Sequence, residues 1–98
     1  MLQKLTGGQA LVAGLQRWNT DTLFGLPGVH LDHFFAALYP VKNKIRILHS
    51  RHEQGAAYMA LGYAMVSGRP GIFTVVPGPG LLNTTSALAT AYACNAPV

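Results

Sequence analysis

Apolar positions recur along the chain in blocks whose period switches between that of a helix and that of a strand. From Thr6, the residues Ala10, Leu11, Leu15 and Trp18, with Val12 and Ala13 between them, follow one helical face, with Thr6 as N-cap and an end near Asn19. Thr22-Leu23-Phe24 is a short strand, broken by the turn residues Gly25-Leu26-Pro27-Gly28. Between His30 and Tyr39, Leu31, Phe34, Phe35 and Leu38 form a helical stripe stopped by Pro40. Ile45-Arg46-Ile47-Leu48 is apolar on both parities, the pattern of a strand covered on both faces.

From His52 to about Ser67 no proline interrupts, Ala56, Ala60 and Ala64 recur at four-residue steps, and Gly68 ends the helix. Gly71 to Val76 is the strongest strand signal, terminated by Pro77-Gly78-Pro79-Gly80, and Leu81 to Ala93 is an alanine-rich helix. Helices thus alternate with strands, which predicts βαβ units and a three-layer αβα sandwich around a parallel sheet. In such a sheet, functional residues gather beyond the carboxyl ends of the strands. Three loops should therefore converge, Gly25 to Val29, His49 to Glu53, and Pro77 to Gly80. Ala96-Pro97-Val98 reads as the start of a fourth strand, so the domain is expected to be truncated or completed by a partner.

Composition narrows the class. Half of the 98 residues are hydrophobic, which suits one globular domain with a modest core. The formal charge of +4 reflects only three acids against seven Lys and Arg. Those bases are scattered, and the cluster Lys42, Lys44 and Arg46 has no aromatic interleaving, so neither nucleic acid nor a membrane is an expected partner. Lone Cys94 excludes an internal disulfide, and the absence of a signal-like or spanning apolar stretch leads to the expectation of a soluble cytoplasmic protein.

Scarce acids focus attention on Glu53, the sole glutamate. Ser50-x-x-Glu53 matches a capping box, in which both side chains satisfy free amides at a helix start. Glu53 also sits at a strand's carboxyl end beside Gly55, Ala56 and Ala57, whose small size leaves room for a flat ligand or another backbone. Gly78-Pro79-Gly80 opens a helix after a strand, but Asn83 stands where a dinucleotide fingerprint needs its third glycine, and Pro79 removes an amide donor. His30-x-x-His33 and His49-x-x-His52 could bind zinc, although polar loop histidines are the default reading and no metal site is assigned.

Together these stretches resemble the pyrimidine-binding domain of thiamine-diphosphate-dependent enzymes, the family of acetolactate synthase and benzoylformate decarboxylase. The resemblance is carried by Thr6-Gly7-Gly8-Gln9-Ala10, Phe24-Gly25-Leu26-Pro27-Gly28, the run Arg51 to Ala64, Gly78-Pro79-Gly80-x-x-Asn83 and Ala91-x-Ala93-x-Asn95-Ala96-Pro97-Val98. It implies a flavodoxin-like topology and residues 1–98 as part of a pyrimidine-binding domain. It further implies that Glu53 hydrogen-bonds a ring nitrogen of the cofactor's aminopyrimidine. That contact favours the imino tautomer, which can deprotonate the thiazolium carbon. Among small apolar neighbours, desolvation would favour the neutral carboxyl.

By the same resemblance, Pro27, Gly28, Gly78, Pro79, Gly80 and Asn83 join Glu53 around the cofactor, and Val29 and His30 lie where substrate is contacted. The cofactor's diphosphate and Mg2+ would bind a separate domain whose Gly-Asp-Gly motif is absent here. The parent is then a 2-keto acid decarboxylase or an acetolactate synthase-like carboligase, a lyase or transferase, and this chain by itself is expected to be inactive. In the family a second subunit completes the site, and the face Ala56, Ala60 and Ala64 is suited to a close helix contact within a homo-oligomer. The alternative is a noncatalytic oligomerisation or binding module that keeps the fold.

Overall fold

The computed structural model describes residues 2–98. Helix α1 spans Gly7–Arg17, strand β1 Thr22–Gly25, α2 Asp32–Leu38, β2 Arg46–His49, α3 Glu53–Ser67, β3 Phe73–Thr74, α4 Pro79–Leu82 and α5 Thr85–Ala93. Tight 3-10 turns at Val29–Leu31 and Tyr39–Val41 flank α2. α2 ends just before Pro40, as expected, and Pro40 lies in the first turn of the 3-10 segment that follows, where its missing N–H is not needed. The strands are parallel in the order β2-β1-β3, with Phe24 opposite both Leu48 and Phe73. The parallel sheet is what the alternation of periods predicts, and its strand order is the doubly wound, flavodoxin-like one that the resemblance implies.

Successive residues of a strand point to opposite faces, and the core divides accordingly. Leu23, Ile47 and Ile72 face α1 and α2, where they pack with Val12, Leu38 and Ile45. Phe24, Leu48 and Phe73 face α3 and pack on Ala56 and Ala60. The step from β1 to β2 and the step from β2 to β3 run in opposite directions across the sheet. Right-handed crossovers then put α2 and α3 on opposite faces, and the loops after β1 and β3 part at the crevice between those strands.

Two elements differ from expectation. The strand signal over Gly71 to Val76 yields ladder pairing only at Phe73–Thr74, held by the Phe24 and Leu26 N–H groups donating to the Ile72 and Thr74 carbonyls, while Gly71 donates instead to the Pro97 carbonyl. The helix expected over Leu81 to Ala93 is broken at Asn83 and Thr84. Thr84 is fully buried there, and its hydroxyl donates to the Leu81 carbonyl at 2.6 Å.

A correction concerns α3. Ala56, Ala60 and Ala64 are buried against the chain's own sheet and helices, so the small-residue face offered by the sequence to a second subunit is already occupied. Close approach inside the chain is what those alanines permit. α3 ends, as expected, at Gly68, in the left-handed conformation with φ 70°.

At the amino ends of the strands, Asp21 ties three segments together. Its carboxylate accepts from Tyr63 Oη at 2.9 Å and from Arg69 Nη1 at 2.9 Å, while Arg69 also donates to the Asn19 carbonyl. Beside this cluster lies a cavity of about 710 Å3 between α1 and β3, bounded by Ala10, Leu11, Gly14, Trp18 and Ile72. Among the described residues, no helix is long and apolar enough to cross a membrane.

Candidate functional site

The carboxyl ends of the strands are where the three loops meet. Gly28, in the loop after β1, lies so close to Val76, after β3, that a Cβ on it would stand 2.3 Å from Val76 Cγ1. From the other side, Gly80 backs onto the same residue, with a hypothetical Cβ 2.6 Å from Val76 Cγ2. Val76 is thus the wall against which both glycine turns are pressed. Gly78 adopts φ 73°, a conformation that glycine takes without steric cost, and Pro79 then begins α4.

Glu53 is the first residue of α3, partly exposed at its tip. Asn83 Nδ2 donates to its Oε2 at 3.1 Å, joining the loop after β2 to the break between α4 and α5. That break follows from local chemistry. With the Thr84 hydroxyl on the Leu81 carbonyl, the chain interrupts its helical ladder at Asn83, whose amide reaches across to α3.

The capping box expected for Ser50 and Glu53 does not form. His52 is the N-cap, its Nδ1 accepting from the Gln54 N–H at 3.1 Å, and Ser50 Oγ donates instead to the His52 carbonyl at 2.6 Å. With the cap one residue before it, Glu53 falls at the first helical position and its side chain is free to meet Asn83. A capping box is realised at α1, where Thr6 and Gln9 exchange hydrogen bonds of 3.2 and 2.9 Å. Thr6-x-x-Gln9 was the legible signal for it.

The protonation preference of Glu53 also departs from expectation. Its carboxyl is held below the usual glutamate range, chiefly by its own backbone N–H and then by the Asn83 amide. Burial opposes this weakly, because Ala56 and Ala57 turn inward while the helix tip stays open. In this chain Glu53 is a carboxylate set in hydrogen-bond donors, and not a desolvated acid.

The remaining predicted residues are placed as follows. Pro27 is exposed on the turn leading to Gly28. Val29 and His30 begin the 3-10 turn and both face outward, Val29 with 81% of its surface exposed. Among the described residues, no three His, Cys, Asp or Glu side chains converge as a metal site would require. The structural residues not foreseen are Val76, expected as ordinary strand, and His52, expected as a loop histidine.

Residues 5–98 match a family model described as the thiamine pyrophosphate enzyme, N-terminal TPP binding domain. The chain belongs to this family. A probable 2-ketoarginine decarboxylase of Pseudomonas aeruginosa is 48% identical over 94 residues, covering 96% of this chain and 16% of that protein. The mitochondrial acetolactate synthase catalytic subunit of Saccharomyces cerevisiae is 40% identical over 94 residues, 96% of this chain and 14% of the relative. An acetolactate synthase of Mycobacterium bovis is 41% identical over 97 residues, 99% of this chain and 16% of the relative. The chain thus spans 14–16% of the length of these relatives.

Proposed function

We propose that this chain is the pyrimidine-binding portion of a thiamine-diphosphate-dependent enzyme that acts on a 2-keto acid, as a decarboxylase or an acetolactate synthase-like carboligase. The observation that carries the reading is the position of Glu53. The sole glutamate stands at a helix tip on the carboxyl side of a parallel sheet, hydrogen-bonded by a side chain from the loop beyond the neighbouring crevice. The names of the relatives supply the reaction class.

The residues present fit a flat heteroaromatic ring. Gly28 and Gly80 leave only backbone against Val76, where any side chain would intrude, and Glu53 offers the one carboxylate among these turns. When bound, the cofactor supplies a carbanion centre and an electron sink for the keto acid. Glu53 holds a proton toward the ring nitrogen through one carboxyl oxygen. Gly28, Gly78, Pro79 and Gly80 shape the bed of the ring, with Pro27 at its rim. Val29 and His30, exposed beside the turn, face outward to the substrate side.

The cofactor's diphosphate and its Mg2+ belong, in this reading, to a separate domain or a second subunit, and the protein works as a homo-oligomer. Isolated, the chain has no turnover. The decisive experiment uses the full-length protein with pyruvate and other 2-keto acids. Glu53→Gln, which keeps the shape but cannot share an acidic proton, is expected to lower kcat by about 10²-fold or more. Undiminished turnover would remove Glu53 from the reaction.

A further inference from the structure

We infer that Asn83 is a positioning residue for Glu53, holding the carboxylate by its Oε2 and biasing a shared proton toward the ring nitrogen of the cofactor. The inference rests on the reading of Glu53 above and adds a second residue to it.

The geometry is specific. Asn83 does not lie within a continuous helix. It follows the four-residue helix α4 and precedes α5, and the buried Thr84 fixes the break by turning its hydroxyl onto the Leu81 carbonyl. Without that interruption the amide would follow the helical path of its neighbours. With it, Nδ2 meets Glu53 Oε2 at 3.1 Å across 30 residues of sequence. The two elements joined are those that follow β2 and β3, so the contact also sets the spacing of two walls of the site.

The chemistry follows from the donor. An amide N–H stabilises the ionised carboxylate and weakens its hold on a proton. When a proton lies between Glu53 and a basic ring nitrogen, a weaker hold at oxygen moves it toward nitrogen. One proton is taken up on binding, with no other bond made or broken. The charged groups around Glu53 are few. α4 and its exit, Pro79 to Thr84, contain no titratable side chain, and neither does the turn Gly25 to Val29. The loop before α3 holds His49, Arg51 and His52, and the Nδ1 of His52 is taken up by the Gln54 N–H.

The test measures protons taken up when thiamine diphosphate binds the full-length apoprotein with Mg2+. Calorimetry in buffers of different ionisation heat, from acid to neutral pH, gives the uptake for wild type, Asn83→Ala, Asn83→Asp and Glu53→Gln. Uptake by histidines and by the diphosphate itself survives in Glu53→Gln and is subtracted. In the remaining uptake, the midpoint is expected to move to higher pH in Asn83→Ala and further still in Asn83→Asp, which replaces a donor by a charge. The asparagine variants are also expected to lose about tenfold in kcat with little change in KM for the keto acid.

Asn83→Asp is nearly isosteric and serves if Asn83→Ala does not fold. An unmoved midpoint and unchanged kcat in Asn83→Asp would overturn the role of Asn83 while leaving Glu53 intact. Full uptake in Glu53→Gln would instead overturn the reading of Glu53 itself.

Discussion

At the scale of single residues, the site is defined by where side chains are missing as much as by where they are present. Gly28 abuts Val76 Cγ1, and the offending atom belongs to a β-branched side chain with little rotameric freedom. Gly28→Ala is therefore expected to weaken thiamine diphosphate binding in the full-length protein. Trimming the wall with Val76→Ala should restore much of the loss, and a double-mutant cycle by calorimetry checks the coupling. Glycines on both turns were legible in the sequence, but Val76 was not. Its role depends on which strand neighbours β1, and no local pattern encodes that.

Asp21 makes a second residue-scale case. Hydrogen bonds from Arg69, Tyr63 and Thr22 lower its carboxyl from the ordinary aspartate range. A depressed acid contributes stability that is fully present above its unfolded pKa, about 3.9. That contribution is lost as pH falls through the lower folded value. Wild type should thus exceed Asp21→Asn in Tm at neutral pH by a few degrees, with the gap closing toward pH 3. Its partly exposed ion pair makes the gap shrink in high salt as well. Thermal melts across pH and salt measure both effects.

At the scale of elements, sequence pattern specified helices more completely than their ends. The same S/T-x-x-E/Q pattern occurs at Thr6 and at Ser50, yet only Thr6 becomes an N-cap, because His52 stands one residue before Glu53 and its ring nitrogen takes the cap. Thr6→Ala is accordingly expected to cost about 1 kcal/mol, whereas Ser50→Ala removes no amide cap and should cost less. Denaturant unfolding of both variants separates them. α3 shows a different kind of legibility. The alanine spacing was visible, but its partner was misassigned to another subunit, since periodicity identifies a packed face without naming what packs on it. Ala60 is fully buried against Phe24 and Phe73, so Ala60→Leu should destabilise by about 1–3 kcal/mol through overpacking.

At the scale of the whole molecule, the parallel order β2-β1-β3 places chemistry and cavity at opposite ends of the strands. Glu53, Asn83 and the glycine turns lie beyond the carboxyl ends, while the cavity beside α1 opens among Thr20, Asp21, Arg69 and Pro70 at the amino ends. The right-handed crossover rule made the first location foreseeable from the alternation of helix and strand alone. It could not foresee the second, which is bounded by α1, by Ile72 and by Tyr63 of α3. Leu11 and Trp18 border the uncovered part with 62% and 83% of their surfaces exposed. Contiguous apolar surface of this kind captures apolar probes. The 98-residue chain is expected to enhance the fluorescence of an environment-sensitive apolar dye at neutral pH, under conditions where circular dichroism reports its helices intact. Leu11→Glu should abolish most of that signal, and because Leu11 already faces water the variant should melt within a degree or two of wild type. Dye binding that survives Leu11→Glu and also Trp18→Lys would place the apolar surface elsewhere, on the outer side of α3 and α5, where Val66 and Tyr92 are each 91% exposed.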